Sequence, residues 1–165
     1  MFRKVLLTII VGICASGAWA AEDSGLLKSE RIGTLHIDMP AAKVRQAVDC
    51  AFKRGPEKWW GADGAYHQEW VSKPCGLTLG MVAAKKGGRQ TVESIALAAP
   101  AKLATQQGIR IGSSEPEVER AYGRYRDADN SVKGQNFVAG SVFGGLMFSF
   151  KQGRVSQIFL GAAAE

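Results

Sequence analysis

The side chains able to do chemistry are few in this chain, and they are widely spaced. It has two histidines, His36 and His67, and nucleophilic catalysis needs a Ser, Cys or Thr beside a base, most often an imidazole. His36 falls in a short alternating segment ahead of a helix, and His67 falls in an aromatic loop. Neither is near a G-x-S-x-G elbow, which the chain lacks. Carboxylate pairs such as those that hydrolyse glycosides are limited to Asp63 with Glu69 and Glu115 with Glu117. The first pair lies in a loop, and the second is explained by helix capping and the helix dipole. The segment Gly108-Ile109-Arg110-Ile111-Gly112 has neither the G-x-G-x-x-G nor the GK[ST] spacing of a phosphate loop. No histidine–cysteine cluster has metal spacing. The expectation is a protein that is not an enzyme and holds no cofactor or metal.

The N-terminus reads as an export leader over residues 1–20. Arg3 and Lys4 supply the positive start, and Val5 to Ile13 form an apolar stretch broken by Thr8 and Gly12. Ala18-Trp19-Ala20 then offers small residues for cleavage before Ala21. A membrane anchor needs about 20 apolar residues, more than this stretch provides. Cys14 opens a lipoprotein alternative, but Ile13 precedes it where a small residue is usual. The expectation is a cleaved chain, periplasmic or secreted, of 145 residues: one compact domain or two half-size units sharing a core. The leader holds two of the 21 basic residues and none of the 15 acidic ones, so the remainder carries a net charge of +4. Nothing in the sequence resembles a nucleic-acid module.

Two cysteines remain after cleavage, Cys50 and Cys75, and in an oxidising compartment two cysteines in a small domain most simply pair. Inside that loop lies the most distinctive stretch of the chain, Lys58-Trp59-Trp60-Gly61-Ala62-Asp63-Gly64-Ala65-Tyr66-His67-Gln68-Glu69-Trp70. Every tryptophan after the leader is in it. Trp70 reads as core, a common use of tryptophan in small sheets. Trp59, Trp60, Tyr66 and His67 are the candidate partner-binding residues, because such side chains bury much area with few torsions to freeze.

The elements that must position these residues show an internal repeat. With a shift of 74, Leu35 meets Ile109, Ile37 meets Ile111, Val44 meets Val118 and Ala47 meets Ala121. Each copy has an alternating stretch, a cap and a helix; in the second, Ser114 with Glu117 fits a capping box. Each half closes with a glycine turn, an arginine and a strand reading V-x-x-I-x-L, from Val92 and from Val155. The Val-to-Ile spacing breaks strict alternation, which predicts a bulge in both strands. Leu77 to Ala83 and Leu146 to Phe150 supply the preceding strands. The apolar run from Phe137 to Phe150 is too short and too rich in glycine for a span, and Gly140-Ser141-Val142-Phe143-Gly144 is an accidental G-x-x-x-G match; the run predicts a buried hairpin. The expected fold is α+β, two tandem helix-plus-antiparallel-hairpin units at 21–104 and 105–165, with helices packed on one face of the sheet.

Gly108 to Ser114 with Val118, and Gly153-Arg154-Val155 with Ile158, resemble the tandem units of BamE-like and β-lactamase-inhibitor-protein-like (BLIP-like) exported proteins. The resemblance covers roughly residues 30–161 through short, degenerate motifs. It implies a helix layer on a sheet that binds other proteins through its sheet or loops. A cysteine pair confined to the first half departs from the pattern, and no family binding residue matches position by position. This resemblance to tandem BLIP-like halves, taken with export, small size, the aromatic disulfide loop and the lack of a catalytic constellation, implies an inhibitor or immunity protein against an envelope-acting hydrolase. An envelope-assembly or cell-wall accessory factor of BamE-like type is the alternative.

Overall fold

The structure, a computed structural model, describes residues 25–163; the expected leader over residues 1–20 and its expected cleavage point lie outside them. The chain runs through α1 (Gly25–Ser29), α2 (Ala41–Ala47), β1 (Lys53–Arg54), β2 (Lys58–Trp60), β3 (Ala65–Ser72), β4 (Leu77–Ala83) and β5 (Thr91–Ala98). It continues with α3 (Glu115–Tyr122), β6 (Asn136–Ser141), β7 (Gly144–Lys151) and β8 (Arg154–Gly161). All pairings between these strands are antiparallel. The sheet order is β1-β3-β4-β5-β8-β7-β6, with β2 paired to β3 beside β1.

This corrects the expected fold. The protein is mostly one eight-stranded antiparallel sheet with 17% helix, not two helix-plus-hairpin units. Two physical reasons account for the difference. A strand edge is a row of unmet hydrogen-bonding groups, and β5 and β8 satisfy theirs on each other. Their pairing sets Ile95 opposite Leu160 and Leu97 opposite Ile158, all buried, so the strands of both halves share one sheet. The helices are also too short to form a layer. At ~1.5 Å per residue an eight-residue helix spans about 12 Å, whereas the sheet is seven strands wide, β1 and β2 sharing one position, and at ~4.8 Å per spacing extends over roughly 29 Å. Coil residues complete the cover. Ile32, Leu35, Met39 and Ile109 join Val44 of α2 and Val118 and Tyr122 of α3 in the core.

The core lies on one face of the sheet, and alternation explains which side chains reach it. Along β4, Leu77, Leu79, Met81 and Ala83 are buried while Thr78, Gly80 and Val82 are half-buried on the other side. Leu146, Phe148 and Phe150 of β7 repeat the pattern. The run from Phe137 to Phe150 forms the β6–β7 hairpin, and no helix among the described residues is long and apolar enough to cross a membrane. The bulges fall where the V-x-x-I spacing places them. Pairing shifts at Gly80/Met81, leaving Glu93 as the extra residue of β5, and at Ser149/Phe150, leaving Ser156 as the extra residue of β8.

The disulfide Cys50–Cys75 is formed, with Cα atoms 6.2 Å apart. It ties the segment after α2 to the β3–β4 turn. At the head of α3, the Ser114 amide donates to Glu117 Oε2 at 2.7 Å, the bond by which the third helical residue reaches back to the cap in a capping box, and the Ser114 hydroxyl donates to the same oxygen at 2.7 Å. These bonds hold the Glu117 carboxyl below its usual range. One polar cluster sits within the core. Tyr122 donates its hydroxyl to Glu30 Oε2 at 2.9 Å, while the amides of Arg31 and Gln106 donate to Oε1. Glu30 is 2% exposed, and with three donors its carboxylate joins α1, α3 and the loop between the halves.

Candidate functional site

The stretch from Lys58 to Trp70 is a hairpin rather than a loop. β2 pairs with the first half of β3, placing Lys58 opposite His67, Trp59 opposite Tyr66 and Trp60 opposite Ala65. Its turn closes on Gly64, whose φ of +68° suits a residue without a Cβ. The Asp63 side chain accepts from the Ala65 amide through Oδ1 at 3.1 Å. A short polar side chain bonding to the backbone two residues on is what makes Asp a turn former.

The other oxygen of the same carboxylate holds His67. Asp63 Oδ2 lies 2.8 Å from Nε2, and Glu93 Oε1 lies 2.9 Å from Nδ1. A carboxylate only accepts, so satisfying both contacts requires an N–H on each ring nitrogen, which is the imidazolium form. Burial works against that charge, but the hydrogen bonds to Glu93 and Asp63 outweigh it and the pKa of His67 is raised. For Asp63, desolvation pushes the carboxyl up, and the bonds from His67 and the Ala65 amide bring it below its ordinary value. The Trp60 indole stacks on the imidazole at a centroid distance of 4.0 Å and an interplanar angle of 17°. A cation against an indole face adds an electrostatic attraction to the packing.

Glu93 reaches His67 because of the β5 bulge. In unbroken alternation Val92 and Ser94 would share a face; the extra residue turns Glu93 and Ser94 toward the same side. Gly80 makes the space. A Cβ there would sit 2.3 Å from Ser94 Oγ, closer than real side chains approach, and 3.1 Å from Glu93 Cγ, a tight contact. Glu93 carries no signal of its own in the sequence; only the V-x-x-I irregularity around it hints that its direction is unusual.

The four candidate residues end in different settings. Trp59 and Trp60 are 55% and 40% exposed, His67 is 7% exposed, and Tyr66 is half-buried against Trp59 with centroids 5.1 Å apart. Trp70 is 1% exposed and donates from Nε1 to Gln68, with the Arg54 guanidinium 3.9 Å from its ring centre. Trp60 and His67 share the face of the sheet opposite the core with Glu69, Thr78, Gly80, Ser94, Ala96 and Phe159. Small side chains make a low floor there, and Phe159 stands between two shallow grooves of about 450 and 380 Å³. Phe159 was not singled out in the sequence, where it reads as one more strand hydrophobe.

Chemically, the cluster is a clasp. Both imidazole nitrogens are committed to carboxylates, so neither is free to take a proton from a nucleophile. Asp63 and Glu69, a pair by sequence, have separate roles: Asp63 holds His67, and Glu69 stands exposed on β3. His36 lies elsewhere, its Nδ1 2.7 Å from the Ile37 carbonyl. Among the described residues, no group of three or more His, Cys, Asp or Glu side chains is arranged to hold a metal ion. Comparison with protein-family models, curated proteins and solved structures finds no match to this chain.

Proposed function

We propose that the protein is an exported binding module. In this reading it docks another protein on the uncovered sheet face and the Trp59–Trp60 edge, and thereby inhibits an envelope-acting hydrolase. The observation that carries this reading is the placement of Trp60. Its indole is 40% exposed, yet it is held in one orientation by stacking on a histidine that is itself clasped from both sides. An aromatic group already fixed in place loses little rotamer entropy on binding, and such anchors dominate interface energies. The adjoining grooves have the small floor and aromatic ridge that would receive a protruding loop. Inhibition rather than catalysis fits a site whose imidazole has no free nitrogen.

The test is to isolate a partner from envelope extracts on the immobilised protein, identify it, and map the complex by hydrogen–deuterium exchange. Protection of β3, β4, β5 and β8, with stoichiometric loss of the partner's hydrolytic activity, supports the reading. Protection confined to the helical face, or a partner whose activity is unchanged in the complex, overturns it.

A further inference from the structure

The larger groove of the uncovered face has two carboxylates, Glu69 and Glu93, beside the Trp60 and Phe159 rings. We infer that it is a subsite for an arginine side chain presented by the protein partner, between Trp60 and Phe159 and against the carboxylates of Glu69 and Glu93. This inference rests on the docking reading above and names the chemistry of what docks.

The floor is Gly80, over which the Ser94 hydroxyl and the Glu93 side chain lean, so that Glu93 is presented toward the groove. Register places Glu69 on one flank of Gly80 and Ser94 on the other, with Glu93 beside Ser94 in the bulge. Glu93 uses Oε1 to hold His67 and is about a third exposed, leaving Oε2 for an incoming donor. Glu69 is exposed, and among the described residues its carboxylate makes no hydrogen bond or ion pair, its carbonyl alone accepting from the Gly55 amide outside the strand ladder. The charged residues lining the groove are Glu69 and Glu93 with Lys58 and His67. Asp63 pairs with His67 from the hairpin turn, so the Glu69 carboxylate and Oε2 of Glu93 are the acceptors left for an occupant. An anionic occupant would meet unpaired carboxylates, and an apolar one would leave them desolvated without partners. A cation satisfies them.

Arginine fits better than lysine for a geometric reason. Its planar guanidinium can lie against an aromatic face while its edge donates to carboxylates, whereas an ammonium is a compact, strongly hydrated charge. The molecule already uses this pairing once, where Arg54 lies over Trp70.

The probe is Nα-acetyl-arginine amide, with Nα-acetyl-citrulline amide as its uncharged isostere, titrated into the labelled protein by NMR. The inference expects saturable shifts of the Trp60 indole N–H and the Gly80 amide with the arginine probe, and at least fivefold weaker binding of citrulline. Glu69→Gln, which leaves the His67 clasp intact, weakens arginine binding about threefold, the scale of an exposed ion pair. Equal responses to the two probes, or shifts confined outside the groove, overturn the subsite. The docking reading fails separately: a partner footprint on this face with unchanged affinity in Glu69→Gln removes only the arginine subsite, and a footprint elsewhere removes only the docking surface.

Discussion

His67 Nδ1 and Glu93 Oε1 lie 2.9 Å apart although 26 positions separate the two residues in sequence. The contact crosses β4 and joins the aromatic hairpin to the bulge of β5. It makes the orientation of Trp60 depend on a proton, because without the second N–H one of the two carboxylates loses its donor.

That dependence has a definite sign. The folded pKa of His67 is raised, so the stability contributed by the clasp is fully present below the unfolded histidine value of about 6.5 and is lost as pH rises through the folded value. Asp63 acts at the other end. Its folded value is lowered, so its contribution is present above about 3.9 and is lost as pH falls through the folded value. An NMR titration of the imidazole should give a midpoint above that of a free histidine peptide, and Glu93→Gln should lower that midpoint. A wild-type midpoint at or below the peptide's would show that the two carboxylates do not hold the charged ring.

Gly80→Ala tests the bulge. The added methyl collides with Ser94 Oγ and crowds Glu93, and overpacking of this kind destabilises by about 1–3 kcal/mol. Urea unfolding should show the loss, together with increased exchange of the His67 amide as Glu93 is displaced. Wild-type stability in this variant would mean that the bulge has room to give.

Replacing both Cys50 and Cys75 by serine opens the covalent loop that contains the aromatic hairpin. The chain-entropy relation assigns a loop of this length about 3 kcal/mol. Denaturant midpoints of the oxidised wild type and the double variant measure it. A difference below about 1 kcal/mol would indicate that the unfolded chain is already compact there.

Tyr122→Phe removes one donor from the buried carboxylate of Glu30. A buried acceptor left short of a partner costs about 1–3 kcal/mol. The loss should appear in global unfolding, with faster exchange in α1 and the 105–107 loop, which Glu30 also binds. Hydroxyl loss without destabilisation would show that the two amides satisfy Glu30 unaided.

Particular residues show how far reading along the chain could go. Cys50 and Cys75 follow from a count of two cysteines beyond residue 20, Ser114 and Glu117 from a four-residue cap, and the two bulges from V-x-x-I. The β6–β7 hairpin follows from an apolar run too short to span a bilayer, and the burial of Trp70 from its type. Each of these rests on local physics, expressed within a few residues. The strand from Ala65 to Ser72 was hidden because its outer end is flanked by exposed aromatics and its alternation is mixed. The expected pair of helix-covered units failed for a different reason, since helix lengths near two turns leave most of the face to coil.

By itself the sequence determined the local devices: the crosslink, the cap, the irregular strands, and the concentration of tryptophans within one loop. Tertiary structure alone decided that β5 would meet β8, that Glu93 would reach His67, and that Trp60 would be set beside an uncovered groove with Phe159. Strand pairing satisfies hydrogen bonds between residues far apart in the chain, and side-chain direction inverts at a bulge. Which groups become neighbours is therefore a property of the assembled sheet.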